Sequence, residues 1–388
     1  MPKTILLRSG WQTVNIGDIA HTPGALALIR EYIPDAHVML WASRGLARGT
    51  GDLLNRTFPN AEIIDADSES TLESAFDRAD IFIHGSGSNF PGRAQAAQWH
   101  EATGKPFGLL GVTVERPEET HDLLNAASFI FTRETASLQA LYRDDITCPI
   151  QAFAPDTTFA MDIRDTASAE ARMTHHGLRD GAFLCVIPRM RYTPYHQIRK
   201  NHGWDADRVQ FVEQHNAEHT PGDLAKLTTL IERWVGETGH KAFLVPEMTY
   251  QNDLFPAIVD PLPSNVRSRV EMLDGFWLPD EAASLYGRSC GVVSIDCHSP
   301  IMSLHASKPA LYVRQPEDTI KGQMYRDLGL SDWILEIDGV TGDTIADRIL
   351  VAHGDPDGAQ RKVSRAMDRA RQLQDEAMNT IADLISSL

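Results

Sequence analysis

Short apolar runs recur along the whole chain, too short for buried helices and separated by amphipathic stretches. Six lie in the first half (TILLRS, HVMLWA, AEIIDA, IFIHGS, PFGLLGVT, FIFTRE) and six in the second (FLCVIPR, KAFLVPE, RVEML, GVVSID, PALYVR, WILEI). Runs that are apolar throughout and alternate with helices demand a mostly parallel sheet covered on both faces. The rhythm pauses at APDTTFAMDIRDTASAE, where Pro155 and a polar stretch read as a linker. The expected architecture is α/β, with two Rossmann-like doubly wound domains, residues 1–165 and 166–360, facing a cleft. Ligands of such sheets bind beyond the strand C-termini, at the point where strand order reverses.

The remaining segments fit around that frame. Residues 189–223 form an insertion between a strand and its expected helix, far longer than the usual connection. It reads as a solvated insertion or, alternatively, a flap over the cleft. Its histidines, His196, His202, His215 and His219, show no tight ligand spacing. Residues 361–388 place Val363, Met367, Ala370, Met378, Ile381 and Ile385 on one helical face, a C-terminal helix packed on the body.

Composition narrows the function. The 388 residues carry a net charge of −17, which argues against a nucleic-acid or anionic-membrane binder. An anion site must then be a local positive pocket. The four cysteines, Cys148, Cys185, Cys290 and Cys297, suggest neither a disulfide framework nor zinc, and no metal site is expected. No signal-peptide pattern opens the chain and no apolar run is long enough to span a bilayer, so a cytoplasmic location is expected.

Two loops concentrate the candidate chemistry. VNIGDIAHTPGALALI follows the first strand; Thr22 can cap a helix starting at Pro23. Asn15, Gly17, Asp18 and His21 then lie in a polar loop before bare helical N–H groups, which suits an anion. GVVSIDCHSPIMSLHASKP repeats the pattern, with Ser299 as cap, Pro300 at the first helical position and His298 facing the cleft. Asp296 beside it is expected to pair with the His298 imidazole and raise its pKa, suiting a general acid. Arg133 and Arg189 stand at strand ends, where a guanidinium can fork onto phosphate or carboxylate. Arg133 can equally pair with Glu134 or Asp162. IHGSGSNFPG is a small-residue turn in which Gly85 and Ser86 either permit a tight bend or bring backbone close to a ligand. It has neither the dinucleotide spacing nor a Walker lysine.

These pieces together resemble the polysaccharide pyruvyl transferase family over roughly residues 4–340. The family's Asn-x-Gly-Asp stands as Asn15, Ile16, Gly17 and Asp18, and its glycine-rich turn as IHGSGSNF. Its RD…S…L segment resembles TRETASLQAL, followed by Pro155–Asp156. Its S-x-R-x-H…P block resembles SIDCHSPIMSLHASKP, followed by Lys321 and DLGL. The chain departs from the pattern at Asp296, where the family has arginine, and at Glu134, where it has aspartate.

The resemblance implies a GT-B-like fold. It also implies transfer of a pyruvyl group from phosphoenolpyruvate to a saccharide of a surface-glycan precursor, forming a ketal. Phosphoenolpyruvate would be a co-substrate, with no further cofactor, and the acceptor a saccharide, lipid- or nucleotide-linked. A homo-oligomer is left open. In that reading Arg133, Arg189 and Lys321 hold the donor, His298 is the acid, and His298 and Asp296 form the catalytic pair. Two other readings share the fold: a glycosyltransferase using a nucleotide sugar, and a non-catalytic binding protein.

Overall fold

The computed structural model describes residues 2–10, 12–42, 46–64, 68–199 and 202–388. All twelve apolar runs form strands, and they fall into two parallel sheets. The first contains β1 (Thr4–Arg8), β2 (His37–Trp41), β3 (Glu62–Ile64), β4 (Ile81–His84), β5 (Gly87–Ser88), β6 (Phe107–Thr113), β7 (Phe129–Thr132) and β8 (Gln151–Phe153). The second contains β9 (Phe183–Ile187), β10 (Lys241–Leu244), β11 (Val270–Met272), β12 (Gly291–Ser294), β13 (Ala310–Arg314) and β14 (Ile334–Glu336). Among the described residues only β5 and β8, too short or too polar to stand out, lie outside the twelve runs.

The strand orders are β3-β2-β1-β4-β6-β7-β8, with β5 on β6, and β11-β10-β9-β12-β13-β14. Each order reverses once, between β1 and β4 and between β9 and β12, and each reversal opens a crevice beyond the strand C-termini. The central strands are fully buried, as Ile5–Leu7 and Phe183–Ile187 show. Helices cover both faces of each sheet, which is why these runs are apolar throughout.

The chain crosses between the sheets after β8, and the crossing is not a solvated linker. Asp156, Thr157 and Thr158 are completely buried. The Thr157 N–H donates to Ser86 Oγ at 3.0 Å, and its hydroxyl donates to the His21 carbonyl at 3.0 Å. Gly24 permits this contact, because a Cβ there would lie 2.0 Å from the Thr157 carbonyl oxygen.

Three expected boundaries move. The first helix spans Ile16–Tyr32, so Thr22 does not cap it and Pro23 lies inside. Asn15 is the cap, and Ile16–Asp18 form the first turn rather than a loop. Burial of thirteen of its residues outweighs the hydrogen bond that Pro23 removes. The segment 189–223 is likewise no separate insertion: a helix of 33 residues, Ala206–Thr238, runs through its second half with Pro221 inside. The C-terminal helix starts at Pro356 rather than 361, where Asp355 accepts the Gly358 N–H at 2.9 Å. It packs back across the crossing, Gln374 donating to the Asp156 carbonyl at 3.2 Å and Tyr32 donating to Asp375.

Candidate active site

The two crevices meet at a cavity of about 190 Å³ lined from both sheets. Asn15, Asp18, His21 and Arg133 come from the first half, and Arg189, Asp296, His298 and Lys321 from the second. Eight of the expected residues therefore converge. Gly85 and Ser86 lie behind the lining, while Gly87 and Ser88 of the same turn reach it. Ser86 instead holds the crossing through Thr157, and a Cβ on Gly85 would meet Ser9 Oγ at 2.6 Å.

Neither helix start is a vacant anion cradle. The Asn15 carboxamide accepts from Gly17 N–H (2.6 Å) and Asp18 N–H (3.4 Å), the Glu247 carbonyl accepts from Ile16 N–H (2.9 Å), and the Asn15 carbonyl from Ile19 N–H (3.1 Å). The N–H groups of Ile16, Gly17 and Asp18, which have no partner further down the helix, are thus used within the chain. The helix His298–His305 begins at His298, so Ser299 is not its cap. Its cap is Glu247, beyond β10, which accepts from the Ser299 N–H and hydroxyl at 2.7 Å each.

Glu247 also corrects the expected pairing of His298. Its Oε1 lies 3.1 Å from His298 Nδ1, whereas Asp296 accepts from Cys297 N–H (3.2 Å) and Gln251 (3.3 Å). Burial opposes charge on the imidazole, but Cys297 and Glu247 against Nδ1 outweigh it and hold the pKa well above the ordinary value. Asp296 is pushed up to about 6, by burial first and the Glu247 charge second, with Arg189 and Lys321 opposing. Gly17 must be glycine here: a Cβ would lie 2.1 Å from His298 Nδ1.

His21, expected in a polar anion-binding loop, is a neighbour of His298. Their Nε2 atoms are 3.2 Å apart, and His21 Nε2 is 3.3 Å from Asp156 Oδ2. Asp156 in turn accepts from Arg133 at 2.8 Å. Of the two partners open to Arg133, Glu134 lies at 3.6 Å and Asp162 pairs elsewhere, with Arg30. Glu134 is held at about 7 because burial outweighs the Arg133 charge and its hydrogen bonds from Ser137 and Thr113.

The cations are not in excess. Arg189 contacts Asp318 at 2.5 Å and lies 3.7 Å from Asp296, and Lys321 is 3.5 Å from Asp318. The lining carries Asp18, Asp296, Glu317 and Asp318 against Arg133, Arg189 and Lys321, so the expected positive pocket is a charge-balanced one. The segment after β9 contributes Thr193 and Tyr195 to the rim, where Gln12 donates to the Tyr195 hydroxyl at 3.2 Å and to Asp18. His196, His202, His215 and His219 remain outside the lining. Sequence reading missed Glu247, Asp156 and Tyr195 as site residues.

Two reversed parallel sheets with a cleft between them define a GT-B-like protein. HepE of Anabaena, solved with UDP and glucose, superposes with a TM-score of 0.60 at 15% identity, covering 100% of both chains. The UDP-GlcNAc 2-epimerase of Neisseria meningitidis bound to UDP-GlcNAc gives 0.61 at 9% identity, over 98% of this chain and 100% of that one. ADP-heptose lipopolysaccharide heptosyltransferase II of Escherichia coli gives 0.53 at 11%, over 92% and 99%. No curated protein matches the chain by sequence. The model of the polysaccharide pyruvyl transferase family matches residues 45–315, and the chain belongs to that family. No helix among the described residues is long and apolar enough to cross a membrane.

Proposed function

We propose that the protein transfers the pyruvyl group of phosphoenolpyruvate to a saccharide, forming a ketal across two hydroxyls. The observation that carries this reading is the size and lining of the cleft. At about 190 Å³ the cavity is smaller than the roughly 300–1,000 Å³ of pockets for drug-sized ligands, and Arg133, Arg189 and Lys321 reach it. That suits a three-carbon anion better than a whole nucleotide sugar. Arg189 and Lys321 would hold phosphate and carboxylate. The enol methylene must gain a proton while a sugar hydroxyl attacks the adjacent carbon; phosphate then leaves and the second hydroxyl closes the ring. The proton is delivered at the His298 end, where Glu247 fixes the ring.

Family membership supports pyruvyl transfer, and the fold neighbours keep a nucleotide-sugar glycosyltransferase as the second reading. Thermal-shift titration with phosphoenolpyruvate and with UDP-sugars separates the two, followed by phosphate release over a panel of saccharides. Stabilisation by phosphoenolpyruvate and saccharide-dependent phosphate release are expected. Stabilisation by a UDP-sugar alone would replace this reading with the second. His298→Gln should abolish turnover and leave donor affinity within about threefold, because the loss falls on the transition state.

A further inference from the structure

We propose that His21, Asp156 and His298 bind one divalent transition-metal ion of the zinc class at the floor of the cleft. The three side chains come from the first helix, the crossing between the sheets and the helix after β12. Their exposures are 1%, 0% and 7%. His21 Nε2 stands 3.2 Å from His298 Nε2 and 3.3 Å from Asp156 Oδ2, and all three ligand atoms lie within 4.8 Å of one another. Bonds of about 2.0–2.1 Å at tetrahedral angles separate ligand atoms by about 3.3–3.4 Å. The two measured edges match those of a tetrahedral metal's coordination face.

The alternative occupant of that space is a single proton shared between the rings. A head-on N–H···N bond with 3.2 Å between nitrogens sets ring centroids about 5.5 Å apart. The centroids are 5.0 Å apart, with the planes at 71°, so the rings converge at an angle on a common point. The surrounding groups fit an ion as well. Glu247 takes His298 Nδ1; once an ion displaces the Nε2 proton, the Nε2 lone pair is left aimed at that point, the arrangement that orients metal-bound imidazoles. Asp156 Oδ2 would share its lone pairs between the ion and Arg133, while Oδ1 is fixed by the Thr158 N–H at 2.9 Å.

The ion would take the place of the His298 proton, facing the buried carboxylates of Asp156 and Glu247. His21 and His298 line the cavity, so the ion's open position faces the bound substrates. A zinc-class ion would bring the pKa of a water bound to it down towards neutrality. On the pyruvyl-transfer reading, that water gives its proton to the methylene carbon. The hydroxide left behind takes the proton of the attacking sugar hydroxyl, and the water is restored. This step alone rests on that reading; the site itself does not.

The test reads metal, not turnover, so a failure of phosphoenolpyruvate to bind leaves it intact. Chelator-treated protein is titrated with Co²⁺, followed by its visible spectrum, and with Zn²⁺, followed by equilibrium dialysis and thermal shift. Expected are one equivalent per chain, the bands of a four- or five-coordinate nitrogen–oxygen site, and loss of at least nine-tenths of the binding in His21→Gln with unchanged circular dichroism. Failure of the wild-type protein to take up either ion would overturn the proposal without recourse to any variant. So would full binding in a folded His21→Gln. A thiolate charge-transfer band would also overturn it, by moving the ion to Cys297.

Discussion

Arg189 shows how burial changes the meaning of a site residue. Read as a strand-end guanidinium, it invites replacement by alanine as a clean test of donor binding, with stability nearly untouched. Its contacts with Asp318 at 2.5 Å and Asp296 at 3.7 Å forbid that. Truncating one partner of a buried pair costs about 3–5 kcal/mol, and here it leaves Asp318 with Lys321 alone and takes the guanidinium from Asp296. Arg189→Ala should therefore lower the melting temperature as well as donor affinity. Arg189→Lys, which keeps the charge and loses the fork, should cost less stability and still weaken binding. Differential scanning fluorimetry with donor titration of both variants decides it; an unchanged melting temperature in Arg189→Ala would contradict the pairing. The residues that sequence singled out sit within short local motifs, where a glycine, a helix start or a strand end marks the place. Glu247 and Asp156 carry no such mark. Glu247 acts on a ring 51 residues later, and nothing local in VPEMTYQ signals a carboxylate turned to cap a distant helix.

At the level of elements, β4 joins core to site and makes the fold sensitive to acid. His84 ends that strand fully buried, its Nε2 accepting from Gly92 N–H at 3.0 Å and its ring edge-on to Phe90. Burial, the largest influence, lowers its pKa to about 3. The folded state thus holds the imidazole neutral while the unfolded chain protonates it at the ordinary value. Its contribution to stability is complete above about pH 6.5 and is lost as pH falls from there towards 3, at up to about 1.4 kcal/mol per unit. His84→Gln keeps an acceptor and removes the titration. Melting temperatures measured from pH 7.5 to 4.5 should fall more steeply for the wild type than for this variant, and parallel curves would exclude His84 as the cause. The strands themselves were legible because full burial writes itself as unbroken apolar runs. Helix limits were not. Pro23 looks like a helix start, yet burial sets the helix beginning seven residues earlier, and Pro221 likewise lies inside a helix. The polar letters of the crossing look like a linker, since nothing in them announces that Asp156 and Thr157 are satisfied by Arg133, Ser86 and His21.

Over the whole molecule, the two sheets are joined at the cleft itself. Asn15 and Met248 form an antiparallel bridge, with Ile16 N–H donating to the Glu247 carbonyl at 2.9 Å and Thr249 N–H to the Val14 carbonyl at 3.0 Å. The C-terminal helix binds them again from behind, through Gln374 and Asp375. The same short stretch of backbone that presents Asn15, Asp18 and Glu247 is therefore the seam of the protein. Calorimetry should record one endotherm, with calorimetric and van't Hoff enthalpies equal, rather than a separate melt for each sheet. Two resolved endotherms would show that the seam does not couple them. If one endotherm is found, heat will inactivate the cleft and unfold the chain in a single event, and no population with folded halves and a dismantled centre will accumulate between them.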